Sequence, residues 1–148
     1  MKKFPAKNGF SLIEIMTTIS IFVLLIAITI PNFRTYQSNI GLKDSIRTFV
    51  GNLRYAQQLA ITEQKTYGLI ISAATDTYRV VRYDTATTTI KTVILPSDID
   101  FLSVSDFNCD FIRFNSYGAV HESGTVVLIN NDGETQTIEI KPSGYVEY

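Results

Sequence analysis

NGFSLIEIMTTISIFVLLIAITIPNF, residues 8–33, holds a single charge, Glu14, near the start of an otherwise uncharged and largely apolar run. Residues 10–30 are twenty-one positions without glycine or proline. As a helix rising about 1.5 Å per residue, they are long enough to cross a hydrocarbon core of about 30 Å. Lys2, Lys3 and Lys7 precede the run, so the positive-inside bias keeps the N-terminus in the cytoplasm and sends the remainder outward. A secretory signal peptide also begins with basic then apolar residues. Its apolar region is usually about 7 to 15 residues and ends in an A-x-A-like site; here the run is longer and IPNFRTY follows.

Glu14 is the position to explain. Ser11-Leu12-Ile13-Glu14 fits the capping box, in which the serine accepts from an early backbone N–H and the glutamate reaches back to the cap residue. That leaves open why a carboxylate sits at membrane depth, where an ionisable group costs at least ~2.5 kcal/mol at the centre and usually marks function. A partner cation is the natural expectation.

Lys7-Asn8-Gly9-Phe10-Ser11-Leu12-Ile13-Glu14, after a short basic leader and before an apolar run ending at Pro31, resembles the class III signal of type IV pilins and type II secretion pseudopilins. The resemblance implies that residues 1–9 are a leader removed by a prepilin peptidase. The enzyme would cut between Gly9 and Phe10 and N-methylate Phe10. It further implies that residues 10–31 form a transmembrane and assembly helix. The terminal ammonium of Phe10 in one subunit would then meet Glu14 of its neighbour, so that two groups costly in lipid neutralise each other only when adjacent helices are in register. Selecting a register is the best attested use of a buried ion pair.

Beyond Ile30, Pro31 lacks the amide hydrogen and clashes one turn back, which predicts a helix break or kink there. The helical spacing then resumes over 32–62. Phe33, Tyr36, Ile40, Ile46, Phe49, Val50, Leu53, Ala56 and Ala60 form an apolar stripe, with Arg34, Lys43, Asp44, Arg47 and Arg54 between them. That stripe is expected to pack on the domain that follows. Gly41 and Gly51 each cost about 1 kcal/mol relative to alanine in a helix, and so mark flexibility or the close approach of a neighbour.

From residue 63 the period becomes alternating. TYGLIIS and TYRVVRYD flank a hairpin turn at 73–76, and TTIKTVIL, FIRF, TVVLI, TQTIEIK and YVEY read as further strands, separated by Pro, Gly, Asn and Asp. The expected fold class is α+β: a long N-terminal helix, half transmembrane and half amphipathic, packed on a C-terminal antiparallel β-sheet domain over 63–148. The segment FIRFNSYGAVHESGTVVLINNDGETQTIEIKPSGYVEY resembles the C-terminal β domain of GspH/FimT-type minor pilins and pseudopilins, which makes the fold pilin-like.

Charge divides along the chain. Seven bases face two acids through residue 60, and six bases face twelve acids from residue 61 on. An acidic distal domain is a poor platform for nucleic acid, which needs Lys and Arg to displace phosphate counterions. The resemblance to FimT-type minor pilins also implies an alternative function, DNA uptake through basic C-terminal residues. However, only Lys141 follows Arg113 there, and Arg79 and Arg82, three apart on a strand, point to opposite faces. Cys109 is the only cysteine, so there is no intrachain disulfide framework. His121, the only histidine, lies in neither a nucleophile motif nor a metal-ligand spacing, which argues against an enzyme. Asp106-Phe107-Asn108-Cys109-Asp110 imitates the first ligands of an EF-hand loop, but Phe111 holds the sharp-turn glycine position and Tyr117 that of the bidentate glutamate.

The resemblance thus implies a structural subunit of a type IV pilus or type II secretion pseudopilus, at or near the tip where a priming complex starts assembly. A membrane-anchored extracytoplasmic binding domain is the other alternative. The expected partners are the prepilin peptidase, other major and minor subunits and the inner membrane, with the C-terminal domain in the periplasm. No cofactor, metal, DNA or small-molecule substrate is expected.

Overall fold

The computed structural model describes residues 9–84, 86–107 and 111–148, with backbone only for 30–35. The basic leader residues Lys2, Lys3 and Lys7, and also Cys109 and Asp110, lie outside the described residues. The chain divides into two compact units after Tyr36.

One helix, α1 (Leu12–Glu63), runs through both units. Its assignment passes through Pro31 without a gap, so the break expected there is not an interruption of the helix. A proline deletes one amide donor and strains one preceding turn, and the turns on either side keep their own ladders. In the first unit the helix is bare: every residue of Leu12–Thr29 is exposed, and the mean hydropathy of that window is 2.4. Its hydroxyls turn inward. Thr17 Oγ1 donates to the Glu14 carbonyl at 2.9 Å, Ser20 Oγ to the Met16 carbonyl at 2.8 Å and Thr29 Oγ1 to the Leu25 carbonyl at 2.8 Å. These bonds remove the need for water at positions that would sit in hydrocarbon.

The second unit, Gln37–Tyr148, wraps the rest of α1 in two antiparallel sheets. The first has the order β3-β2-β1-β5 and the second β4-β6-β7-β8. The strands are β1 (Thr66–Ser72), β2 (Thr77–Tyr83), β3 (Thr87–Ile94), β4 (Ile99–Ser105), β5 (Phe111–Phe114), β6 (Gly124–Asn130), β7 (Thr135–Ile140) and β8 (Val146–Glu147). A 3₁₀ turn, Ala73–Thr75, closes the β1–β2 hairpin. Asp76 follows it at φ 46°, and its carboxylate accepts from the Phe101 amide at 3.1 Å, fastening the hairpin to β4 in the other sheet.

The core lies between helix and sheets. Ile46, Phe49, Val50, Leu53, Ala56 and Ala60 of the expected stripe are buried, and Leu42 joins them. Tyr36 and Ile40 are instead 63% and 49% exposed, because the stripe is covered only where a sheet lies opposite. Phe49 makes edge contacts with Tyr78 of β2 at 5.0 Å and with Phe101 of β4 at 6.0 Å between centroids. One helical ring therefore joins both sheets, in the T-shaped geometry that aromatic quadrupoles favour. Gly41 brings the helix into ordinary contact with Ile99, 3.8 Å from where its Cβ would lie, while Gly51 meets nothing within 4 Å.

The α+β reading holds, with one strand added. β4 is the strand absent from the sequence reading, because Asp98, Asp100 and Asp106 in and beside IDFLSVS give that segment an acidic, loop-like composition. Ile99 and Phe101 nevertheless face the core, and a register shift between Phe101 and Ser103 breaks the alternation after them.

Candidate functional site

Gly9 and Phe10 precede α1, and Phe10 is 78% exposed. The first turn is held by the backbone: the Ser11 carbonyl accepts from the Glu14 amide at 3.0 Å and from the Ile15 amide at 3.2 Å. The side chains of Ser11 and Glu14 make no capping-box bond. Among the described residues the Glu14 carboxylate has no cationic partner. Among the described residues, the segment thus presents an unpartnered acid at the start of an apolar helix whose window Leu12–Thr29 is exposed throughout. Only a hydrocarbon phase or other apolar helices can satisfy such a surface.

The remaining sequence candidates scatter. His121 is exposed, its amide donating to the Arg113 carbonyl at 2.9 Å; with Phe111, Arg113 and Glu122 it borders a hollow of about 170 Å³. Asp98, Asp100 and Asp106 are exposed, and among the described residues no three His, Cys, Asp or Glu side chains converge as metal ligands.

Arg79 and Arg82 do fall on opposite faces of β2. Arg79 is exposed, and Arg82 is half-buried next to Tyr67. Burial raises the Tyr67 hydroxyl above its usual pKa, as does its 2.5 Å bond to Glu63 Oε2, while Arg82 pulls it down. Arg113 lies over the Tyr83 and Phe111 rings at 5.3 and 5.6 Å. Lys141 is 2.6 Å from Glu147, and that contact raises the lysine and lowers the glutamate.

A feature that the sequence did not reveal is an open cleft of about 380 Å³ between α1 and the β7–β8 turn. Arg54, Gln57, Gln58 and Tyr145 line it. Its two walls are some ninety positions apart in the chain, so no local pattern announces it.

Residues 45–144 match the family described as type II transport protein GspH, and residues 5–30 match the prokaryotic N-terminal methylation motif. Among solved structures, the fold is similar to the minor pseudopilin EpsH from the type 2 secretion system of Vibrio cholerae. That likeness has a TM-score of 0.61 at 14% identity and covers 72% of this chain and 94% of that one. It is also similar to the type IV minor pilin FimU of Pseudomonas aeruginosa, with a TM-score of 0.60 at 10% identity, over 76% and 90% of the two chains. No curated protein sequence matches.

Proposed function

Because the chain belongs to the family of GspH type II transport proteins, we propose that it is a minor pseudopilin or minor pilin, a structural subunit of a secretion pseudopilus or type IV pilus. The observation that carries this reading is the apolar helix window Leu12–Thr29, exposed throughout among the described residues. Such a segment anchors the subunit in a membrane before assembly and packs against sister helices afterwards.

The segment does its work without catalysis. Cleavage between Gly9 and Phe10 by a prepilin peptidase converts Phe10 into a cationic N-terminus, still charged after N-methylation. Glu14, without a cationic partner among the described residues, then supplies the carboxylate that receives this cation from the adjacent subunit. Desolvating either charge alone in lipid is costly, so a helix out of register is penalised and one in register is not. Pro31 supplies a turn with one hydrogen bond fewer, where the helix can yield as subunits pack. Before assembly the unit 37–148 stands on the periplasmic side of the inner membrane.

Replacing Glu14 by Ala or Val tests the pairing. The variant should be processed normally yet recovered in sheared filaments far less than the parent. Equal recovery would contradict the role given to Glu14.

A further inference from the structure

The open cleft of about 380 Å³ between α1 and the β7–β8 turn has no part in the assembly chemistry above. One wall is α1, which presents Arg54, Gln57 and Gln58, and the other is the turn that carries Tyr145. Both walls are held by hydrogen bonds. The Gly144 amide donates to the Lys141 carbonyl at 2.8 Å and the Lys141 amide to the Tyr145 carbonyl at 2.9 Å, which closes the turn. Gly144 takes φ +81°, and a Cβ there would overlap the Gly118 carbonyl and Gln57 Nε2. The turn is thereby seated on a second one, residues 115–118, and the Val120 amide ties the two by donating to the Pro142 carbonyl at 3.1 Å. Asn115 Oδ1 builds that second turn, accepting from the amides of Tyr117 at 2.9 Å and Ala119 at 3.0 Å. Gln57 Nε2 fastens the helix to the same point by donating to the Gly118 carbonyl at 2.8 Å. The cleft is therefore preformed, and little ordering has to accompany binding.

Its chemistry is polar and aromatic, with no net charge. Arg54 and Lys141 stand against Glu139 and Glu147: Lys141 is 2.6 Å from Glu147, and Glu139 acts on it as well. That balance favours neither a polyanion nor a polycation. Tyr145 is 60% exposed, and Tyr117 on the adjoining turn 87%. Lys141 Nζ sits over one face of the Tyr145 ring, 5.7 Å from its centroid, and steadies it. The two turns read NSYG at 115–118 and PSGY at 142–145. Tyr, Ser, Gly and Asn are the residues of recognition loops, where tyrosine gives a large rigid contact at little entropic cost and its neighbours hydrogen-bond. An added peptide strand is poorly served here, because the adjoining β8 is two residues long and strand addition needs a run of free edge.

We infer that the cleft binds a neutral glycan of the cellulose or chitin type, with the C–H face of one pyranose on the Tyr145 ring and its hydroxyls on the Gln58 amide and the Arg54 guanidinium. Equatorial substituents leave such a sugar two flat C–H faces, which lie on an aromatic ring as apolar surface. Its edge hydroxyls both donate and accept, as a primary amide does, and a guanidinium donates to them. An open cleft admits a mid-chain stretch as well as a chain end. Such a site belongs to the packed unit Gln37–Tyr148 alone and does not depend on the filament reading.

The test uses the full-length chain in phospholipid nanodiscs, free of glycoside detergent, with saturation-transfer NMR and titration calorimetry against cellohexaose and chitohexaose. Saturation should reach the ring C–H protons of at least one of them, and the difference between the two tells whether plain hydroxyls or acetamido groups are read. Tyr145→Ala should weaken binding by about tenfold. Tyr145→Phe should retain it, because the ring face and not the hydroxyl makes the contact. Gln58→Ala, on the exposed side of α1, should weaken binding severalfold, and added salt should leave the affinity unchanged. Circular dichroism melts establish that each variant is folded. Binding of neither glycan overturns the site, as does equal affinity in the parent and Tyr145→Ala, or loss of binding in a folded Tyr145→Phe. Tighter binding of heparin that salt abolishes also overturns it, since the cleft would then select charge.

Discussion

Asn52 Nδ2 donates to Tyr78 Oη at 2.8 Å inside the core, tying the buried face of α1 to β2. Lys91 Nζ completes the amide by donating to Asn52 Oδ1 at 3.0 Å from the edge strand β3. A buried donor stripped of its acceptor costs about 1–3 kcal/mol. Tyr78→Phe in the unit 37–148 should therefore lower stability by about that amount. Urea unfolding followed by circular dichroism measures it, and an unchanged midpoint would show that the bond contributes nothing net.

The glycines separate into opposite expectations. Gly51 lies on the exposed face of α1 with nothing within 4 Å of its Cβ position, so Gly51→Ala should stabilise the helix by about 0.5–1 kcal/mol. Gly133→Ala meets open space but keeps a φ of +84°, costing about 1–2 kcal/mol. Gly144→Ala combines the same strained φ with overlap onto the Gly118 carbonyl, and should be the worst of the three. A thermal melt of each variant gives the order directly.

Alkali should unfold the domain. Burial raises the hydroxyls of Tyr67, Tyr78 and Tyr83 above their ordinary value of 10.0. A folded pKa above the unfolded one gives stability that is intact below about pH 10 and is lost as pH rises through the folded value. Unfolding free energy measured from pH 8 to 12 should fall above about pH 10. Tyr78→Phe, less stable at neutral pH, should show the shallower fall.

Removing the bare helix should change the solution behaviour without harming the fold. Residues 37–148 should be soluble without detergent and melt cooperatively, since the core residues from Leu42 to Val146 all lie within them. The full chain should partition into membranes. Size-exclusion chromatography with and without detergent separates the two outcomes.

Much of this was legible in the residues, and what was not has identifiable causes. The stripe Ile46, Phe49, Val50, Leu53, Ala56 and Ala60 announced its burial because helical spacing and a covering sheet agree there. Tyr36 and Ile40 share that spacing but have no sheet opposite, and spacing cannot tell where cover ends. β4 was hidden by its acids and its bulge. The division into two sheets depends on long-range pairing, β1 with β5 and β4 with β6, which no local pattern encodes. At the candidate site, Glu14 stood out because one charge in an apolar run is a local anomaly. The Arg54–Tyr145 cleft did not, because it exists only once the β7–β8 turn has folded against α1.

Mass spectrometry of the N-terminal peptide from subunits in sheared filaments tests the central claim most directly. The account predicts a chain that starts at N-methylated Phe10. A filament subunit that still starts at Met1 would leave Glu14 without its cation and contradict the assembly chemistry described for this helix.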